Sequence, residues 1–363
     1  IKINITFFNT KHCLYWLNCN DYKVFFVTDK YTEAAALIST ISDVIPKYNL
    51  SPSTGFRSRC EFGYRNDHYT MVENGNKVFL KYFNIAHPAI NKLMPKLLAE
   101  INKVELIKHK LFQINFRCNN KNKVMVTFIY HKEATNDLFE SLKKISSMLD
   151  IHLILRSKKK YFSSTDDLLE EIICSKKPYS LFQTDQTFFQ PNRFMVPRMV
   201  NLVCDMVENP HDLLELYCGC GTFTIPLSGI FTKIFATENN RKSIMCLDSA
   251  IEKNNVSNIN YARLSCDEVM KAISGQTFRR LKDIDLQEYN FSHILLDPPR
   301  SGLTNDVIEL AKTFDNILYI SCNVDTFVRD MKLLKGFEIS KLHFFDQFVN
   351  TQHLELVSII NRK

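Results

Sequence analysis

The order of hydrophobic and polar positions divides the 363-residue chain into two rhythms. In the first part, short β-like runs at Tyr22 to Val27 and Lys77 to Phe83, with turn signals at Asn66–Asp67 and Asn74–Gly75, predict a sheet. Apolar spacing of three and four predicts helices over 31–46 and 88–103, the second opening on Pro88 in its first turn. A strand from Lys123 to Tyr130, a helix over 134–149 and a strand from His152 to Arg156 close this half in a β–α–β order.

From about residue 195 apolar runs alternate with helical stretches. The runs are Leu213 to Tyr217, Lys233 to Thr237, Ile259 to Leu264, His293 to Asp297, Ile317 to Ser321, and a final pair near 338–345 and 354–361. Nearly continuous apolar strands separated by helices predict a mostly parallel sheet covered on both faces, and ligands of such sheets lie at the carboxyl ends of the strands.

Composition narrows this further. With 45% hydrophobic and 23% charged residues, 9 Gly and 11 Pro, collagen-like and linker-dominated architectures drop out. No run reaches the roughly 18 apolar residues of a membrane span and no signal-peptide pattern opens the chain, so the expectation is a cytoplasmic protein without a membrane partner. Eleven scattered cysteines suit reduced thiols, and the close pair Cys218 and Cys220 lacks the spacing of a zinc or iron–sulfur site. No metal is expected. Residues 1–180 carry 27 Lys/Arg against 17 Asp/Glu, and 181–363 carry 19 against 22. A basic half joined to a near-neutral one fits a polyanion-binding module beside a catalytic one, although a lysine-rich solvated surface would look the same.

Four strand ends carry candidate chemistry. The first reads Leu214-Glu215-Leu216-Tyr217-Cys218-Gly219-Cys220-Gly221-Thr222-Phe223, whose paired glycines permit a tight turn and close approach to a ligand. The second ends in Glu238, where nucleotide-binding sheets hold ribose hydroxyls. The missing third glycine disfavours a dinucleotide and makes S-adenosylmethionine the leading cofactor. Asp297-Pro298-Pro299-Arg300 then holds a rigid loop open above the sheet, with Arg300 where amino methyltransferases usually carry an aromatic. Finally Ser321-Cys322-Asn323 places a thiol at a strand tip, suited to nucleophilic attack. Downstream, Glu355, with His353 two residues earlier, is placed to accept a proton.

In this order these elements resemble the RNA (uracil-5-)-methyltransferase family, most closely its bacterial tRNA-modifying members. Further residues carry the resemblance: Phe188-Phe189-Gln190-Pro191-Asn192, Thr326, Asp346 to Glu355, Phe56 to Phe62, and His109 to Ile114. It implies a C-terminal Rossmann-like, S-adenosylmethionine-dependent methyltransferase domain over 180–363, an N-terminal α/β RNA-binding domain over 31–179, and an unassigned segment 1–30. It implies Cys322 as nucleophile and Glu355 as base, with Gln190, Tyr217, Thr222, Glu238 and Asp297 at the cofactor. Arg300 would sit near the target base. Arg57, Arg59 and the Arg156 to Lys160 run would hold RNA phosphates, and Phe112 would either stack on a base or sit in a strand core. The implied reaction is methylation of a T-loop uridine of tRNA at carbon 5, with no protein partner inferred. Methylation of ribosomal RNA, or an RNA-folding role with methylation weak or lost, are the alternatives. Two departures stand out, Val324 and Val349 where the family usually has proline.

Overall fold

The computed structural model describes residues 30–363 apart from Asn74, Asp166 and Lys176. The strand expected at Tyr22 to Val27, nearly all of the segment 1–30 and Asn74 of an expected turn lie outside the described residues.

The C-terminal unit is an eight-stranded sheet. From one edge to the other its strands are Lys47–Asn49, Phe337–Phe345, Glu355–Arg362, Asn316–Ser321, Phe291–Leu296, Asp212–Leu216, Lys233–Thr237 and Ile259–Ala262. The five strands from Asn316–Ser321 to Ile259–Ala262 pair in parallel, and Glu355–Arg362 runs antiparallel between Asn316–Ser321 and Phe337–Phe345. Apolar residues fill both faces. Leu214, Phe235, Ile294 and Tyr319 pack on one side, and Leu213, Ile234, Leu295 and Leu318 on the other. Strands buried on both faces therefore read as continuous apolar runs, the pattern expected of a doubly wound sheet.

The seven-stranded sheet runs in the order Asn76–Leu80, His68–Glu73, Arg59–Arg65, Leu111–Cys118, Val124–Tyr130, His152–Arg156 and Tyr161–Ser163. Helices Pro88–Asn102 and Asn136–Leu149 cover one face through Ile90, Leu97, Leu138 and Leu142. His87 caps the first helix by accepting from the Ala89 N–H at 3.1 Å, with Pro88 in the first turn as expected.

Two boundaries differ from the sequence reading. The helix expected over 31–46 ends at Ile38, because Ser39 and Thr40 hydroxyls bond back to the Ala36 and Leu37 carbonyls at 2.8 and 2.7 Å, and Pro46 cannot continue it. The chain then forms Lys47–Asn49, which pairs in parallel with His343 to Phe345. Residues 31–49 thus sit with the C-terminal sheet, not with the region 31–179 in which they were placed, and Lys30 of the unassigned segment joins them. At the other end, the boundary at 179/180 falls inside the hairpin of Leu169–Cys174 and Pro178–Gln183, whose Ile173, Tyr179 and Leu181 pack into the C-terminal core. Among the described residues no helix is long and apolar enough to cross a membrane.

Candidate active site

Three neighbouring strands meet at one sheet edge. Asn316–Ser321 ends there and delivers Cys322, and Phe291–Leu296 ends there and delivers Asp297. The antiparallel strand Glu355–Arg362 begins there. Its register pairs Ser321 with Leu356, so one step further Cys322 faces Glu355. An antiparallel strand beside a parallel one thus brings a nucleophile and a carboxyl together from positions 33 apart in sequence.

The electrostatics agree. Burial, then the charges of Glu355 and Asp297, push the Cys322 thiol up to about 11, while Arg300 works the other way. Glu355 is 3% exposed, and burial followed by the charge of Asp297 holds its carboxyl well above the usual range. Burial raises Asp297 to about 7. Glu215 reaches about 8 through burial, the Thr224 hydroxyl working against the shift and Asp297 adding to it. Its Oε2 has no hydrogen-bond partner. These protonated-leaning carboxyls form an acidic surround that a cationic ligand would favour in its ionised form.

The loop after Asp297 is held from behind. Gly302 has φ +76°, and a Cβ there would lie 2.6 Å from Arg329 Nη2 and 2.7 Å from Asp330 Oδ2. The fully buried Asp330 carboxylate accepts from the Leu303 N–H at 2.9 Å and from Tyr319 Oη at 2.6 Å. Asn323 caps the helix Val324–Leu333 by accepting from the Asp325 N–H at 3.0 Å, which leaves Val324 at the first helical position, where a proline ring would also fit. Arg300 is exposed and donates from Nη2 to the His353 ring at 2.8 Å.

The glycine loop lies beside this edge. Tyr217, Gly219 and Gly221 all have positive φ, and a Cβ on Gly221 would come within 2.6 Å of Leu247. Gly221 is required for the helix behind to close on the loop. The Glu238 carboxylate accepts from the Gly219 N–H at 3.1 Å and the Asn240 N–H at 2.7 Å, fixing the loop while keeping further lone pairs for a ligand. Thr222 is half-buried in the turn beyond Gly221. Gln190 is buried and accepts from the Gln347 side-chain amide, whose own Oε1 has no partner.

Arg57 and Arg59 line a cleft of about 410 Å³ between the two sheets, with Phe188, Phe189, Pro191 and Phe348 among its other walls. A second hollow of about 580 Å³ shares Arg59, Glu61 and Phe188 and continues past Phe112 to Arg156. Phe112 does lie on a strand, Leu111–Cys118, yet its ring is 45% exposed on the open sheet face and stacks on His131 at 4.1 Å. Arg156 is not a free cation: it pairs with the buried Asp185 at 2.9 Å, and Lys160 pairs with Glu133 at 3.1 Å.

Three side chains escaped the sequence reading: Lys30, His131 and Arg117. Arg117 is 4% exposed and joins the units by donating to Gln183 Oε1 at 2.9 Å and to the Asp185 and Thr187 carbonyls. An arginine within the apolar run Leu111–Cys118 was its one signal. Among the described residues no three His, Cys, Asp or Glu gather as a metal site.

A mostly parallel, doubly wound sheet with a glycine loop, a carboxylate at the next strand tip and an acidic reacting edge defines a Rossmann-like methyltransferase. The profile of the tRNA (Uracil-5-)-methyltransferase family matches residues 23–363, so the chain belongs to that family. It is 39% identical over 325 residues to the tRNA/tmRNA (uracil-C(5))-methyltransferase of Saccharophagus degradans, spanning 86% of this chain and 89% of that one. The Pseudomonas fluorescens protein of the same name is 35% identical over 346 residues, 92% and 96% of the two chains. The fold is also that of the Pyrococcus abyssi tRNA (uracil-54, C5)-methyltransferase, solved with S-adenosyl-L-homocysteine, with a TM-score of 0.73 at 21% identity over 91% of this chain and 82% of that one.

Proposed function

We propose that this enzyme methylates carbon 5 of a T-loop uridine in tRNA through a covalent adduct between Cys322 and carbon 6 of the base. The observation that carries the reading is the facing of Cys322 and Glu355 across the antiparallel pair, with Asp297 on the neighbouring strand. Carbon 5 of uracil is too weak a nucleophile to take a methyl group unaided. Once the thiol has given its proton to solvent, the Cys322 thiolate adds to carbon 6, and the electron pair displaced from the carbon 5–carbon 6 double bond makes the ring an enolate whose carbon 5 is nucleophilic. After methylation Glu355, which acts in its ionised form and whose raised pKa makes that form the stronger base, removes the proton from carbon 5, and elimination of the Cys322 thiolate restores the ring. With its thiol pushed up to about 11, Cys322 is largely protonated at neutral pH, so attack needs Arg300 and the bound base to stabilise the developing charge.

When bound, S-adenosylmethionine supplies an electrophilic methyl group. The residues present fit it. Glu238 beyond the glycine loop suits the ribose hydroxyls, Tyr217 and Thr222 line the loop, and the Asp297 and Glu215 carboxyls favour a cationic methionine end. Gln190, which accepts from the Gln347 amide, is the remaining residue of the cofactor set.

A uridine inside a folded T-loop is out of reach of Cys322, so the base must be extruded, at a cost of a few kcal/mol. Phe112 is placed to replace lost stacking, and Arg57 and Arg59 to hold phosphates along the two joined hollows. The test is incubation of unmodified tRNA with enzyme and labelled cofactor, followed by nuclease mapping. Label confined to 5-methyluridine in the T-loop supports the reading, and label elsewhere or on another atom overturns it.

A further inference from the structure

We infer that Lys30 is a positioning residue for the methylation, its ammonium holding the 346–353 loop that leads into Glu355 at the reacting edge; the role of Glu355 in this rests on the mechanism above. Lys30 opens the helix Lys30–Ile38, and buried Ala34 and Ile38 seat that helix in the C-terminal core. Its place is therefore set by packing rather than by the contacts it makes.

From there the ammonium donates to Asp346 Oδ1 at 2.6 Å, to the Phe348 carbonyl at 3.1 Å and to the His353 carbonyl at 3.3 Å. These contacts match its three protons. The ion pair is secluded, with side chains 11% and 9% exposed, so it is not the loose surface pair that contributes little. The two carbonyls stand at either end of the six-residue stretch 348–353, and one cation closes it into a ring. Within the ring Thr351 closes a turn: its N–H and Oγ1 donate to the Phe348 carbonyl at 3.3 and 2.8 Å, and Oγ1 accepts from the His353 N–H at 3.2 Å. Val349 supplies no fixed φ, and Asn350 sits at φ +61°. On the far side Asn192 Nδ2 donates to the Asp346 carbonyl at 3.1 Å and the Gln347 carbonyl at 3.4 Å, and the Asp346 N–H reaches the Asn49 carbonyl at 2.9 Å. Those bonds fix the entry of the loop. Its exit, two residues before Glu355, is fixed by Lys30 on the His353 carbonyl, by Arg300 on the His353 ring and by buried Leu354.

Proton abstraction is sensitive to such placement, since an error of about 1 Å at a reacting group costs on the order of 100-fold in rate. Lys30→Met should therefore lower kcat by roughly 10- to 100-fold while leaving KM for S-adenosylmethionine within about 2-fold. Methylated RNA held on Cys322 should accumulate on denaturing gels, because elimination is the slowed step. Lys30→Arg, which keeps the charge, should recover most of the rate, and Asp346→Asn should add little to the loss in Lys30→Met. A kcat for Lys30→Met within about 2-fold of wild type overturns the inference. So does a loss that follows a fall in melting temperature and is not recovered by Lys30→Arg. Should Lys30→Met not fold, Lys30→Arg and Asp346→Asn carry the same comparison. Wild-type turnover by Glu355→Gln would instead remove Glu355 as base, and the kcat and rescue arms would still decide whether Lys30 positions the loop.

Discussion

Replacing Glu215 by glutamine should change how stability depends on pH, and the structure sets the size of the change. In the unfolded chain this carboxyl titrates near its ordinary value of 4.5, whereas in the fold burial raises it to about 8. Below the first value both states hold the proton and nothing is lost. Between the two values the unfolded chain has released its proton and the folded one has not, so stability falls by about 1.4 kcal/mol for each pH unit. Above the second both are ionised, and the full penalty, about 5 kcal/mol at most, is present. Interior relaxation makes that an upper bound. A glutamine removes the titration and keeps the shape, and the Thr224 hydroxyl that acts on Glu215 remains close by for its amide. Urea unfolding of the cofactor-free protein at pH 5.5, 6.5 and 7.5, followed by circular dichroism, measures the effect. The variant should gain on the wild type by about 1.4 kcal/mol per unit across this range. Parallel curves would refute the reasoning and mean that Glu215 is ionised in the fold.

Three further outcomes are expected. Phe112→Ala should weaken tRNA binding in filter or fluorescence titrations by about 1–3 kcal/mol. Its ring is 45% exposed, so the melting temperature should hardly move, and a fall of the size that follows truncation of a buried phenylalanine would count against the stacking role. Glu355→Gln should allow addition and methyl transfer but stall proton removal, so that a methylated RNA–protein adduct builds up on denaturing gels. Glu238→Ala should weaken S-adenosylhomocysteine by about 1–3 kcal/mol in calorimetry; unchanged affinity would place the ribose elsewhere.

Much of the C-terminal unit was legible because a parallel sheet writes itself locally. Lys233–Thr237 and His152–Arg156 fall where their apolar runs predict, and Phe291–Leu296 and Asn316–Ser321 end at Asp297 and Cys322 as the sequence pattern has it. What the chain did not reveal is long-range. Lys47–Asn49 is only three residues and gains its identity as a strand from partners nearly 300 positions away, so no local period marks it. Lys30 reads as one more surface lysine until the fold sets Asp346 against it. Phe112 illustrates a subtler limit: its neighbours Leu111 and Ile114 are buried, and a register shift between Leu111 and Gln113 helps decide which face its ring takes. Arg156 shows the converse, a cation that charge counting assigned to RNA and that the fold pairs with Asp185.

The central claim is that Cys322 joins covalently to the base, and one measurement addresses it directly. Wild-type enzyme incubated with S-adenosylmethionine and tRNA carrying 5-fluorouridine should form a complex that survives denaturing electrophoresis, because fluorine cannot leave carbon 5 as a proton to Glu355. Mass spectrometry of the digested complex should find the methylated fluorouridine on the peptide containing Cys322, and Cys322→Ala should form no such complex. A stable complex with Cys322→Ala, or attachment to another residue in the wild type, would contradict the account.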